Sequence, residues 1–209
     1  MTDIGKWALV IIDMQNDFLH LDGGLGRIAR ERPAMEIDMP FVRSTIPNVE
    51  RLITAFRRAA RPVVFVVHRV KRDYSDAQFP YWRLGLGPES AEPFVVEGTW
   101  GAELVDTLQP GPGDHVVTKK GYCGFSNTSL DTILRASEVS TCVVVGVTTC
   151  VCVSTTVRGG VEHNYRMVVA KDAVAEVNRH THIAELETLA RNFADVLDTD
   201  DILAMLETT

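Results

Sequence analysis

The stretch Val143-Val-Val-Gly-Val-Thr-Thr-Cys-Val-Cys-Val153 decides how this chain is read. The β-branched run over 142–146 suits a strand buried on both faces, as strands of a parallel sheet are. Gly146 ends the run, a short turn follows, and the pattern over 152–162 reads as a helix. That puts Cys152 in the first turn of a helix, where backbone N–H groups carry partial positive charge and lower a thiol's pKa. A cysteine so placed can act as a nucleophile, and one in mid-strand cannot.

Outward from this stretch the strand pattern recurs at 8–12, 63–67, 115–118 and 167–170, each run rich in Val or Ile and bounded by Gly, Pro, Asp or Lys. A weaker sixth strand lies at 194–197. Helical patterns occupy 42–59, 102–107, 129–135, 152–162 and 181–192, and Asn127, Thr128 and Ser129 offer N-caps to the third. The alternation implies an α/β fold with right-handed crossovers and a mostly parallel sheet of five or six strands. Two stretches stand outside it and read as loops. One is 20–39, with Gly and Arg; the other is 68–99, which holds Tyr74, Phe79, Tyr81, Trp82 and Phe94. Both start at carboxyl ends of strands, where open α/β sheets build their sites, so both are expected to cover one.

The 209 residues fit one domain over 1–209, with 45% hydrophobic and 23% charged residues, a balance that can bury a core without disulfides or metals. The net charge of −7 argues against a nucleic-acid partner, which needs a basic face. No signal pattern opens the chain and no apolar run reaches ~18 residues, so a cytoplasmic protein without membrane contact is expected. Cys123, Cys142, Cys150 and Cys152 read as free thiols in a reducing compartment. Cys150 and Cys152 stand too close for a zinc or redox CxxC pair, and the histidines lack HExxH or Cys/His spacing. No metal and no cofactor are expected.

Three strand ends carry the chemistry. The first strand runs into Asp13, the third into Lys119 and Lys120, and the fourth into Cys152. Taken singly, Asp13 suits a turn or helix cap, a strand-end lysine suits solvent, and Cys152 suits a small core position. Together, on one sheet edge, they supply a base, an ammonium and a nucleophilic thiol.

The segments Ala8-Leu-Val-Ile-Ile-Asp-Met-Gln-Asn-Asp-Phe18, Val117-Thr-Lys-Lys-Gly-Tyr-Cys-Gly-Phe-Ser-Asn-Thr-Ser-Leu130 and Gly146-Val-Thr-Thr-Cys-Val-Cys-Val-Ser-Thr-Thr156 resemble, in this order, the isochorismatase-like cysteine hydrolases. The resemblance implies a three-layer α/β/α, Rossmann-like fold and an Asp–Lys–Cys triad at Asp13, Lys119 and Cys152. Lys119 is chosen over Lys120 because it stands four residues before Cys123-Gly124-Phe125, where the family has a Ser-Ala-Phe-like tripeptide. Cys152 is chosen over Cys150 because it directly precedes a valine and follows the strand-end glycine by six residues. Also implied are a non-proline cis peptide bond between Val147 and Thr148, an oxyanion hole from the N–H groups of Thr148 and Cys152, and a homo-oligomer, dimer or tetramer.

The family divides by chemistry. Nicotinamidases carry an Asp-x-His…His metal cluster, of which the stretch 65–73 keeps only His68; strict isochorismatases lack the cysteine. The string after Gly146 is most similar to hydrolases of biuret, ureidoacrylate and N-carbamoyl compounds. The resemblance therefore implies cysteine-dependent hydrolysis of a C–N bond in a small linear amide or ureido/carbamoyl compound. A nicotinamidase-type hydrolase, a non-catalytic binding protein that kept the fold, and a redox role for Cys150 and Cys152 are the alternatives. For the pocket, Phe18 and Trp100 are candidate apolar walls, and His68 or Arg69 is a candidate to orient an anionic or carbonyl group. Each equally suits a core or surface role. The aromatic stretch 74–94 suits either a subunit contact or a lid over its own pocket.

Overall fold

The computed structural model describes residues 6–89 and 93–207. Its frame is a sheet of strands β1 (Trp7–Ile12), β2 (Val63–His68), β3 (His115–Lys119), β4 (Thr141–Val147), β5 (Arg166–Ala175) and β6 (Asp195–Leu197). They lie in the order β3-β2-β1-β4-β5-β6. Every neighbouring pair is parallel. The order reverses between β1 and β4, and an α/β sheet opens its crevice at such a switch point.

Residues of the inner strands alternate between two buried layers, whereas the edge strands β3 and β6 are partly exposed. Trp7, Leu9 and Ile11 of β1 join one core, and Ala8, Val10 and Ile12 join the other. This two-sided burial is why the strands read as continuous apolar runs rather than as alternations. The first layer is closed by α4 (Ile46–Arg58) and α8 (Thr199–Glu207), through Leu52, Phe56, Ile202 and Leu206. The second is closed by α5 (Leu130–Ala136), α6 (Ser154–Glu162) and α7 (Arg179–Asn192), through Leu130, Leu134, Val157 and Leu189. Each such side chain contributes about 1.5–3 kcal/mol by leaving water.

Several expectations are corrected. The stretch 20–39 is not all loop: after the short α1 (Asn16–Leu19) come α2 (Gly24–Glu31) and the start of α3 (Met39–Arg43). The helix expected over 42–59 is split between α3 and α4, with Pro47 in the first turn of α4. Residues 102–107 form no helix. One short turn over Trp100–Ala102 precedes chain held by β1's extension, where Gln15 bridges Leu104 and Val105 N–H donates to Met14. Strand β5 runs past 170 to Ala175, with a register shift opposite Val144 and Gly146. Helix α8 lies beyond the last expected element. Thr199 anchors it by donating N–H and hydroxyl to Asp172.

Candidate active site

The carboxyl ends of four strands meet in one place. Asp13 leaves β1 with φ 53°, a left-handed conformation that Asp tolerates better than most residues. The turn that carries the cysteines begins where β4 ends. Gly146 has φ 110°, and a Cβ there would lie 2.1 Å from the Ile12 carbonyl oxygen. Only glycine lets β4 run that close to β1. The Val147–Thr148 peptide bond is cis. Residues Thr149–Val153 then form one wide turn that leads into α6. Two outside groups hold it: Cys150 N–H donates to the Glu176 carboxylate at 2.7 Å, and Thr149 Oγ1 meets His182 Nδ1 at 2.9 Å.

Lys119 and Asp13 are fully buried and form an ion pair of 2.9 Å. Lys119 Nζ also lies 3.3 Å from Cys152 Sγ and donates to the Gly121 carbonyl at 3.0 Å. Lys120 points elsewhere, to Asp76. Burial is the largest influence on all three groups. It pushes the Asp13 carboxyl up against the lowering effect of Lys119. Lys119 is held above its usual value, because the Asp13 charge and the hydrogen bonds to Asp13 and Cys152 together outweigh desolvation, the largest single influence. The Cys152 thiol is pushed well up, by burial first and the Asp13 charge next, while Lys119 pulls it down. This corrects the expected helix-start depression of the thiol. Cys152 sits ahead of α6 rather than in its first turn, and one ammonium serves two would-be anions. The resting pair is therefore Asp13 carboxylate and Lys119 ammonium beside a neutral thiol. Cys150 is also pushed up, to about 12, by burial and Glu176.

The cysteine opens onto a cavity of about 200 Å³, lined by Phe18, His68, Phe79, Phe94, Thr148 and Cys152, with further apolar wall from α2 and from Met35, Ile37 and Leu86. Of the pocket candidates, Phe18 and His68 line this cavity. Two other candidates do not. Arg69 turns away, its guanidinium bonding the Ala102 carbonyl and the Glu103 carboxylate. Trp100 is half exposed on the outer surface, edge-on to His20, and lines no part of the cavity. The aromatic stretch closes over its own chain's cavity: Tyr74, Phe79 and Phe94 are buried, while residues 90–92 lie outside the described range.

Sequence reasoning misses the polar frame around these groups. Gln15 is fully buried, donates to the carbonyls of His68 and Ala102, and accepts from His68 N–H. Asp17 accepts from Gly24 and Val95, so it ties α2 to the Phe94 segment. The signal is present in Gln15-Asn-Asp17: polar residues directly after a buried strand need partners. Asp13, His68 and Cys152 bring potential metal-ligating atoms within 4.8 Å of one another. Linear spacing could not reveal this set, because it comes from three separate strand ends. The Lys119 ammonium already contacts two of the three, Asp13 and Cys152, and its charge opposes a cation there.

The model of the Isochorismatase domain family matches residues 7–201. Ureidoacrylate amidohydrolase RutB of Pseudomonas syringae pv. syringae is 32% identical over 94% of this chain and 82% of its own length. A crystal structure of a cysteine hydrolase from Pseudomonas syringae pv. phaseolicola superimposes with a TM-score of 0.84 at 26% identity, over 100% of this chain and 95% of that one. N-carbamoylsarcosine amidase from Thermoplasma acidophilum gives a TM-score of 0.74 at 30% identity, over 93% of this chain and 97% of that one. With its strand order, its switch-point crevice and a family match over nearly its whole length, the chain belongs to the isochorismatase family.

Proposed function

We propose that this protein is a cysteine-dependent amidohydrolase that cleaves a C–N bond in a small linear amide or ureido/carbamoyl compound through a thioester. The chain is a hydrolase of C–N bonds other than peptide bonds, in keeping with its amidohydrolase and cysteine hydrolase relatives. The observation that carries the cysteine mechanism is the buried contact of Lys119 with both Asp13 and Cys152 at the cavity floor.

The steps follow from the charges. Asp13 takes the Sγ proton as the thiol attacks the substrate carbonyl carbon. The new C–S bond leaves negative charge on the carbonyl oxygen, and the N–H groups of Thr148 and Cys152 stabilise it. The C–N bond then breaks, and the Asp13 carboxyl returns the proton to the leaving nitrogen. Water attacks the thioester with Asp13 again as base, releasing the acid and restoring the thiol. Lys119 stays an ammonium throughout, so one cation always faces one net negative charge.

The test is ammonia release from a panel of small amides and ureides, by the parent protein and by Cys152→Ala. Turnover by the parent and loss of at least about 1000-fold in the variant is expected. Turnover that survives Cys152→Ala, or that a chelator abolishes and zinc restores, overturns the thiol mechanism in favour of a metal-dependent one.

A further inference from the structure

The cavity says more about the substrate than the triad does. Its walls come from the side chains of Phe18, Phe79 and Phe94, from Leu25 and Ile28 of α2, and from Leu86. Its polar lining is Tyr122, Thr148, His68 and Glu176. None of these is a fixed cation. His68 is buried, its Nε2 has no partner, and burial with the nearby Lys119 charge holds the ring neutral. Glu176 is an acidic group, fixed by the N–H groups of Cys150 and Val177. No Lys or Arg lines the cavity among the described residues, and none of the remaining residues of the chain is Lys or Arg. Lys119, which contacts the cysteine, does not line the cavity and is committed to Asp13. Arg69, the side chain that could have met an anion, is bound to Ala102 and Glu103.

A carboxylate brought into this space would lose its water and gain no cation, with Glu176 on the wall opposing it. An apolar group would meet aromatic and branched walls instead. A dry apolar cavity of ~150 Å³ admits benzene. The cavity here, about 200 Å³, accepts a group of ring or branched-chain size.

Resting on the cysteine-hydrolase reading above, we infer that the substrate is an amide of a neutral, apolar carboxylic acid, and that carboxylate-bearing ureido acids are poor substrates. The acyl chain fills the space between Phe18, Phe79 and Phe94 while the carbonyl meets Cys152. Hydrolysis splits this amide into ammonia or an amine and the free acid. The product acid carries the charge that the cavity does not accommodate, and this favours its release.

Two measurements test the inference. The first compares kcat/KM for acetamide, propionamide, isovaleramide and phenylacetamide with that for ureidoacrylate and N-carbamoylglycine. A rise of about threefold to fourfold per buried methylene is expected along the neutral series. The best neutral amide should exceed either carboxylate compound by about 100-fold or more. A flat neutral series, or a carboxylate compound preferred over every neutral amide, overturns the inference. The second needs no turnover. Iodoacetamide and iodoacetate have similar size and differ in charge, and their alkylation of Cys152 is followed by mass mapping. Each rate is divided by that for free cysteine. An excess of about tenfold for the neutral reagent is expected, and equal normalised rates overturn the inference. If no amide or ureide is cleaved, the hydrolase reading fails, and the alkylation pair still decides the charge preference of the cavity.

Discussion

Asp13 and Cys152 compete for one ammonium, and that competition fixes what each can do. Both are buried, both reach Lys119, and two negative charges on one positive charge in a dry site are costlier than one. A neutral thiol at rest therefore needs the neighbouring carboxylate to become a nucleophile. Asp13→Asn preserves the shape and the left-handed backbone but removes both the charge and the proton acceptor. Two opposite effects are expected. Turnover falls by at least about 100-fold, because the leaving nitrogen goes unprotonated. The thiol becomes easier to ionise, because the raising effect of Asp13 is gone and the lowering effect of Lys119 remains. Hydrolysis assays beside a pH titration of thiolate absorbance read both, and a thiol that ionises later in the variant overturns the arrangement.

The pH profile of the parent follows from the same groups. Asp13 must be ionised to act, and its value is raised above the ordinary 3.8. Activity should therefore fall as the pH drops through a range above that figure. His68 stays neutral and Lys119 stays charged, so neither adds a limb near neutrality. An acid limb at or below 3.8 in kcat/KM would contradict the base role.

At the scale of elements, what the sequence displays is what local pattern controls. The runs at 8–12, 63–67, 115–118 and 142–146 are strands within about a residue of their expected ends; in β1, β2 and β4 burial on both faces leaves an uninterrupted apolar run, whereas the edge strand β3 is mostly exposed. Where tertiary contact overrides pattern, the reading fails. Residues 102–107 have helical spacing, yet Leu104 and Val105 pair with Gln15 and Met14, and the chain turns again at 106–107. Helix α2 hides behind Gly23, Gly24 and Gly26, which read as loop; in the fold they permit close approach to Asn16, Phe94 and Leu21. Strand β5 is hidden past 170 because Lys171 and Asp172 interrupt its apolar run. Among the candidate site residues, Asp13, Lys119 and Cys152 are marked in the sequence by motifs, and the fold brings them together. Of the pocket candidates, Trp100 and Arg69 point away from the cavity, because the direction of a side chain leaving a turn is set by its neighbours. Gly146 is the element-scale hinge of the site. Gly146→Ala adds a methyl group 2.1 Å from the Ile12 carbonyl at a φ of 110°. A loss of about 2 kcal/mol or more in unfolding free energy is expected, with activity lost in the fraction that remains folded. Denaturant unfolding measures it, and a change under about 0.5 kcal/mol would mean that β1 and β4 have room to part.

The whole molecule leaves apolar surface that its own chain does not cover. Trp82 is 65% exposed and Trp100 51%, in segments that flank the cavity cover. Leu21 and Met35 are also half exposed, and Met35 reaches the cavity wall. The aromatic stretch itself is accounted for, since Phe79 and Phe94 close the cavity of their own chain. Trp82 is the exposed tryptophan of the stretch 74–94 expected at a subunit contact or lid, and Trp100 lies outside that stretch. Exposed apolar patches can mark contacts, and repeated copies pair most simply about a two-fold axis. A dimer or tetramer is therefore expected in solution. Light scattering at micromolar concentration should give two or four times the 23.1 kDa chain, and a mass near 23.1 kDa refutes assembly. The contact is then assigned with Trp82→Ser and Trp100→Ser. Either change should weaken assembly on dilution and leave secondary structure intact, because neither side chain is part of the core. An oligomer equally stable in both variants would move the interface elsewhere, to the exposed edge at Val116 of β3 or to Ile183 of α7.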